Sequence, residues 1–320
     1  MRKIVFFLVC AALAAGCKSS PAGVEHIIFD TDLGNDVDDA VALVMLHRYA
    51  SSGTAEIVAE GITKDGSAPA ACMDIFNAWY GHPDVPFGII VNGADCETDA
   101  VNYARAVADL PAFKGSLESY DALPESHVLY RDILAKEADH SVTLVVVGFS
   151  TNVARLLDLD KDLMIRKVKR IVMMAGRFDG EKTSEYNVWK DIPSARKVVE
   201  EWPGEIVFSP FELGIQVNYP ASVIEERFAA PEPLTEAYKA YLPMPYNRPC
   251  WDPTALLYAV EGDGWFTVSE PGTVHIDENG ITTFEPDPEG HHRILSVDEA
   301  QAQALVDRIV ELTTPQENEK

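Results

Sequence analysis

Short, almost unbroken apolar runs alternate along this chain with longer stretches whose apolar positions recur every three or four residues. The runs at 27–30, 55–62, 85–91, 143–147, 170–174 and 206–209 are mostly brief and β-branched. Apolar residues at successive positions mark strands buried on both faces. Between them, 38–49, 68–80, 127–138, 152–157 and 192–202 carry helical periodicity. Strand–helix alternation of this kind predicts an α/β fold: an open, mostly parallel sheet with helices on both faces and a Rossmann-like core. No internal repeat or long low-complexity linker interrupts the pattern. A proline-rich tract, 231–249, precedes a late helix at 253–260 and reads either as a loop covering a site or as a surface excursion. The chain thus divides into a single domain over 25–313 and a polar tail over 314–320, preceded by a separate N-terminal segment.

That segment has its own pattern. Arg2 and Lys3 are followed by an apolar run over 4–15 and then by Leu13-Ala14-Ala15-Gly16-Cys17. The run is too short to span a bilayer comfortably but suits a secretory signal. Small residues before a cysteine resemble a bacterial lipobox, which implies a signal peptide over 1–16, a lipidated Cys17 and a tether over 17–24. Two or three acyl chains, at ~0.8 kcal/mol per buried CH₂, would hold such a protein at the cell envelope, periplasmic or at the cell surface. The alternative is an ordinary secretory signal in which Cys17 is incidental.

Composition narrows the function classes. The formal net charge is −25, and loss of Arg2 and Lys3 with the signal takes it to −27. A surface this acidic repels phosphate backbones, so no nucleic-acid partner is expected. Contact with a membrane is expected through the lipid anchor only. Apart from Cys10 and Cys17 the cysteines are Cys72, Cys96 and Cys250, too widely spaced for a zinc knuckle or a complete disulfide framework.

The strongest chemical signal follows the first strand: Asp30-Thr31-Asp32-Leu33-Gly34-Asn35-Asp36-Val37-Asp38-Asp39-Ala40. Its carboxylates fall at the carboxyl end of a strand and the start of a helix, where ligands sit in open α/β sheets. Like charges so close repel one another by several kcal/mol unless a cation is shared among them. Ca²⁺, which takes ~6–8 oxygen ligands, suits such a set. The plainer alternative is that Asp38 and Asp39 cap their own helix and complement its dipole, which accounts for one or two aspartates.

This stretch resembles the D-T-D-P-G-x-D-D-A signature of the inosine-uridine preferring nucleoside hydrolase family. Leu33 replaces the proline, and three residues rather than one separate Gly34 from the Asp38-Asp39 pair, which leaves Asp36 as an alternative to one of that pair. Further along, Val147-Gly148-Phe149-Ser150-Thr151-Asn152 is similar to the family's T-G-P-L-T-N turn. The segment Ile171-Val172-Met173-Met174-Ala175-Gly176, followed by Glu185-Tyr186-Asn187, is similar to I-V-M-M-G-G … E-F-N, with Asp179 near the place of an upstream asparagine. Trp251-Asp252-Pro253 matches a late H-D-P element. The resemblance runs from about residue 26 to 260 and implies a nucleoside hydrolase-like fold that cleaves the N-glycosidic bond of a small-molecule nucleoside.

By that resemblance, Ca²⁺ would be held by Asp32, Asp39, the Val147 carbonyl and Asp252, with Asp32 also the general base on water. Asp38, Glu185 and Asn187 would orient the sugar. Trp251 stands where many relatives place a histidine acid. An indole cannot protonate a leaving group, but it can stack on one, and with Tyr241 and Tyr246 nearby this implies a preference for purine nucleosides. His82, His127, His275, His291 and His292 read as surface or loop residues. Dimers and tetramers occur in the family, so a homo-oligomer stays open.

Two other readings fit parts of the sequence. A lipid-anchored nucleoside- or sugar-binding protein that has lost turnover would bind ribose without forming reducing sugar. A haloacid-dehalogenase-like phosphatase, suggested by Asp30-Thr31-Asp32, would release phosphate from p-nitrophenyl phosphate but leaves the other aspartates without a purpose.

Overall fold

The computed structural model describes residues 23–96, 103–228 and 230–315, with no side-chain account of 95 and 96. Cys17, the signal, most of the tether and residues 316–320 lie outside the described residues. Among the described residues no helix is long and apolar enough to cross a membrane.

The first strand, β1 (Glu25–Thr31), lies between β2 (Ala55–Ile62) and Val142–Val146 and pairs with both in parallel. From one edge the central sheet runs Phe87–Gly88, β2, β1, Val142–Val146, Val168–Met174, Ile206–Ser209, His292–Ser296, Gly272–Ile276 and Thr282–Pro286. All neighbours are parallel as far as His292–Ser296, and the last two strands are antiparallel. Successive side chains of a strand face opposite ways, and the two cores record it. Ile27, Phe29, Val145, Val172 and Val207 pack on one side; Ile28, Leu144, Ile171, Met173 and Phe208 pack on the other. Helices cover both faces, as the pattern predicts.

Helix α1 (Asp38–Ser52) is buried continuously from Asp38 to His47, because it lies against β2 and is overlaid by Trp251–Glu261 and Glu299–Thr313. An all-round apolar helix belongs in such an interior position. It ends at Gly53, whose φ of 72° is a left-handed cap open to glycine without strain.

Several elements differ from the sequence pattern. The apolar run 85–91 gives only Phe87–Gly88 as strand. The helix read at 152–157 extends over Thr151–Lys167, with an irregular residue at Asp160. The proline tract is not a bare loop: Pro233–Tyr241 is a helix, with Pro233 in its first turn and Leu234, Ala237 and Tyr238 buried. The C-terminal strands and Glu299–Thr313 complete the sheet edge and the overlay on α1. His292 is a buried strand residue rather than a loop residue. Burial lowers its pKa to about 4, and its Nδ1 accepts the Val274 N–H at 2.8 Å. Cys72 and Cys250 are buried free thiols.

Candidate active site

The carboxyl ends of the parallel strands converge on one cavity of about 370 Å³. Its walls include Asp32, Asp38, Asp39, Val147, Glu185, Asn187, Trp251 and Asp252, the positions to which the family resemblance assigns metal or substrate. The β1 turn, Val147 and Met174 meet here because β1, Val142–Val146 and Val168–Met174 are consecutive in the sheet, and Asp252, more than 200 residues from Asp32, joins them because Trp251–Glu261 packs on α1.

The β1 turn is fixed from below. The Asp30 carbonyl accepts the Val147 N–H at 2.7 Å and the Gly148 N–H at 3.2 Å, while Thr63 N–H donates to the Thr31 carbonyl at 2.9 Å. A Cβ on Gly148 would stand 2.4 Å from Thr63 Oγ1, 2.5 Å from Asp32 N and 2.7 Å from Thr31 C, so only glycine permits this approach. The Val147 carbonyl is thereby held beside Asp32.

The aspartates of the turn do not act as one group, contrary to the expectation that all share one cation. Asp30 is not part of the cavity wall. Its carboxylate accepts the Tyr130 hydroxyl at 2.6 Å and Asn152 Nδ2 at 3.0 Å, bracing the strand ends. Asp32, Asp36, Asp38 and Asp39 do line the cavity, joined by Asp252. Nor do Asp38 and Asp39 cap their own helix, since α1 has no side-chain cap at its N-terminus. Asp38 instead accepts the backbone N–H groups of Trp251 at 2.8 Å and Asp252 at 3.0 Å. It caps the helix Trp251–Glu261, whose own N-cap residue, Cys250, supplies no side-chain acceptor. This cap sets Asp252 opposite the β1 turn.

Asp39 accepts the Thr31 hydroxyl through one oxygen, and its other oxygen, Oδ2, is buried without a hydrogen-bond partner among the described residues. Glu185 caps the short helix Tyr186–Lys190, accepting N–H groups of Asn187 at 2.8 Å and Val188 at 3.2 Å, and it also accepts Gly176 N–H at 3.2 Å. Asn187 Nδ2 donates to the Val147 carbonyl at 2.7 Å and to the Met174 carbonyl at 3.1 Å.

Burial drives the electrostatics. It raises the Asp32 carboxyl to about 7, against the pull of the Lys64 ammonium, and Asp36 repels in the same direction. Glu185 is likewise pushed up to about 7 by burial. Asp38, Asp39 and Asp252 are driven well above the carboxylate range by burial and then by neighbouring aspartates. A cation at this end of the cavity would offset both burial and mutual repulsion. The donors are all oxygen, the preference of a hard divalent ion, and Asp39 Oδ2 and the second lone pair of the Val147 carbonyl remain to be satisfied. As they stand, no three His, Cys, Asp or Glu side chains among the described residues are gathered closely enough to hold an ion. Repelling carboxylates would have to be drawn inward for the set to close.

Four aromatic rings, Tyr186, Phe211, Tyr241 and Trp251, share the lining with the carboxylates and make up its aromatic wall. Trp251 stacks on Phe211 with ring centroids 5.6 Å apart, and its indole N–H donates to the Phe211 carbonyl at 2.9 Å. Tyr246 does not reach the cavity wall; it stacks on Tyr238 and hydrogen-bonds the Tyr238 carbonyl at 2.7 Å. Asp179 is also outside it, paired with Arg177 at 2.8 Å. Of the histidines, none lines the cavity.

Several participants were not singled out from the sequence. Asn35, in the longer spacing after Gly34, lines the cavity, donates to the Tyr186 hydroxyl at 2.8 Å and accepts the buried Lys64 ammonium. Asp36, which the sequence left as an alternative to one of the Asp38-Asp39 pair, lines the cavity too and pairs with Arg248. Met174 and Phe211 complete the lining. Nothing in the sequence marked Lys64, two residues beyond the end of β2, as buried.

Comparisons with known proteins agree with this picture. A model of the inosine-uridine preferring nucleoside hydrolase family matches residues 27–307. A pyrimidine-specific ribonucleoside hydrolase, RihA, from Enterobacter sp. (strain 638) is 36% identical over 101 residues, a segment covering 30% of this chain and only 30% of that relative. An inosine-guanosine nucleoside hydrolase superposes with a TM-score of 0.73 at 18% identity, covering 90% of this chain and 99% of that one. A purine-preferring ribonucleoside hydrolase from Gardnerella vaginalis gives 0.70 at 17% identity, with 90% and 99% covered. At these identities the structural likeness establishes the fold.

Proposed function

This chain belongs to the inosine-uridine preferring nucleoside hydrolase family, and from that premise we propose that it hydrolyses the N-glycosidic bond of ribonucleosides to free base and ribose. The observation that carries the reading is that one cavity is lined by both carboxylates and aromatic rings. Its volume of about 370 Å³ falls within the ~300–1,000 Å³ of small-molecule sites.

In this reading Asp32, Asp39, Asp252 and the Val147 carbonyl hold a divalent cation, and the all-oxygen donor set favours calcium. When bound, calcium supplies positive charge and coordination positions for water and a sugar diol. Asp32 takes the proton from the attacking water, a step that adds typically ~10²–10⁴-fold when the base is well placed. Asp38, Glu185 and Asn187 orient the ribose. Their backbone-bonded positions fix that orientation before reaction, which is how positioning lowers the barrier.

The aromatic wall receives the base. Phe211, Trp251, Tyr241 and Tyr186 offer flat apolar surface for a purine, and no histidine of the cavity wall can act as an acid there. Purine preference is therefore proposed, although the curated relative carries a pyrimidine-specific name. The N-terminal sequence supports a lipid anchor at Cys17 in a bacterial envelope, testable by detergent partition of wild type and Cys17→Ala.

The test is a reducing-sugar assay over a nucleoside panel, with calcium and then with chelator. Inosine and adenosine should be cleaved faster than uridine and cytidine, and chelator should abolish turnover. Ribose binding without any hydrolysis would leave only a binding protein, and equal rates for uridine and inosine would remove the purine preference.

A further inference from the structure

The nucleoside hydrolase reading leaves one requirement unmet. When the C1′–N bond breaks, its electron pair leaves with the base, water forms the new C1′–O bond, and the proton lost from water ends on the base or in solvent. Negative charge thus develops on the base inside a cavity lined by Asp32, Asp36, Asp38, Asp39 and Asp252. Nothing in Trp251 can neutralise it.

Arg248 does not line the cavity itself but lies directly behind it, against Tyr241 and Trp251, which do. Its backbone is held in a short antiparallel ribbon with Asn218–Tyr219. Its guanidinium pairs with Asp36, within the longer spacing after Gly34. The guanidinium carbon lies 4.9 Å from the ring centre of Tyr241 and 5.0 Å from that of Trp251, both in the aromatic wall. Its Nε is buried and has no hydrogen-bond partner among the described residues. A permanently charged group, largely buried and fixed on two rings and by one carboxylate, is more than a surface ion pair needs, and its charge acts through the wall it supports.

We propose that Arg248 is the positioning residue of the leaving-group end: it cancels the Asp36 charge, holds Tyr241 and Trp251 as one wall, and offsets the charge of the departing base. This rests on the nucleoside hydrolase reading. It predicts that the value of Arg248 depends on the leaving group, since a base that departs as a poor anion needs the offset and a stable phenolate does not.

The test compares kcat and KM for inosine and for p-nitrophenyl riboside in wild type, Arg248→Met and Arg248→Lys, with unfolding temperatures as a control. Arg248→Met should lower kcat on inosine by on the order of 10–100-fold, below the ~10²–10³-fold of a donor in direct contact. On p-nitrophenyl riboside it should change kcat by less than about 3-fold on the same scale of effects. Arg248→Lys, which keeps charge but loses the planar fork, should fall between, and serves alone if the methionine variant does not fold. Equal losses on both substrates, or none on either, would overturn the proposal while leaving the hydrolase reading intact. A wild type that cleaves neither riboside would overturn both.

Discussion

Gly148→Ala tests whether the site depends on the packing of the Val147-Gly148 turn against the β1 turn. The added methyl would lie 2.4–2.7 Å from Thr63 Oγ1, Asp32 N and Thr31 C, two of which are backbone atoms that cannot rotate away. Ordinary contacts lie at ~3.5–4.0 Å, so the two turns must part by on the order of 1 Å. Overpacking of this kind costs about 1–3 kcal/mol, which for a chain this size lowers Tm by on the order of 5 °C. The larger effect should be on turnover. Separation moves the Val147 carbonyl away from Asp32 and strains the hydrogen bonds from Val147 and Gly148 to the Asp30 carbonyl. A displacement of ~1 Å at a reacting site can cost ~10²-fold. The assay is kcat/KM for inosine beside a thermal melt. A variant that melts within a degree of wild type and keeps its turnover would refute the packing argument.

Other predictions concern single groups. Glu60 is wholly buried on β2, accepts Asn77 Nδ2 at 2.7 Å, and is pushed up to about 8 from 4.5 by burial. The folded state therefore keeps this proton through a window where the unfolded chain releases it, so stability falls as pH rises from about 4.5 to about 8. At ~1.4 kcal/mol per unit, the difference between wild type and Glu60→Gln should grow by on the order of 4–5 kcal/mol in favour of the variant. Urea midpoints at both ends of the window measure it, and a constant difference would contradict the assignment. Asp38→Ala should destabilise by about 1–2 kcal/mol through loss of the cap on Trp251–Glu261, whereas Asp38→Asn keeps an acceptor and should lose less. Equal melting temperatures for the two variants would show that the cap is not what Asp38 contributes to stability.

The sheet was legible because strands such as Val142–Val146 are buried along their whole length and so carry nearly unbroken apolar runs. The C-terminal strands were not, because Thr282–Pro286 and His292–Ser296 are short, polar and partly exposed. The final helix had a readable start, a capping box of Asp298 and Gln301, which the polar residues around it obscured. The site positions were legible as chemistry grouped at strand ends. Their bonding was not, since Asp38 capping a helix more than 200 residues away depends on how α1 and Trp251–Glu261 cross. Lys64 and Arg248 escaped for a related reason: a single cation in a two-residue strand says nothing until the carboxylate or amide it faces is known.

Calcium titration of chelator-treated protein, read by calorimetry in wild type, Asp39→Ala and Asp252→Ala, addresses the carboxylate end most directly. The account predicts one ion per chain, a Tm that climbs with calcium by the linkage expected of a native-state ligand, and loss of binding in both variants. Wild type that takes up no ion, or variants that bind it as well as wild type does, would contradict it.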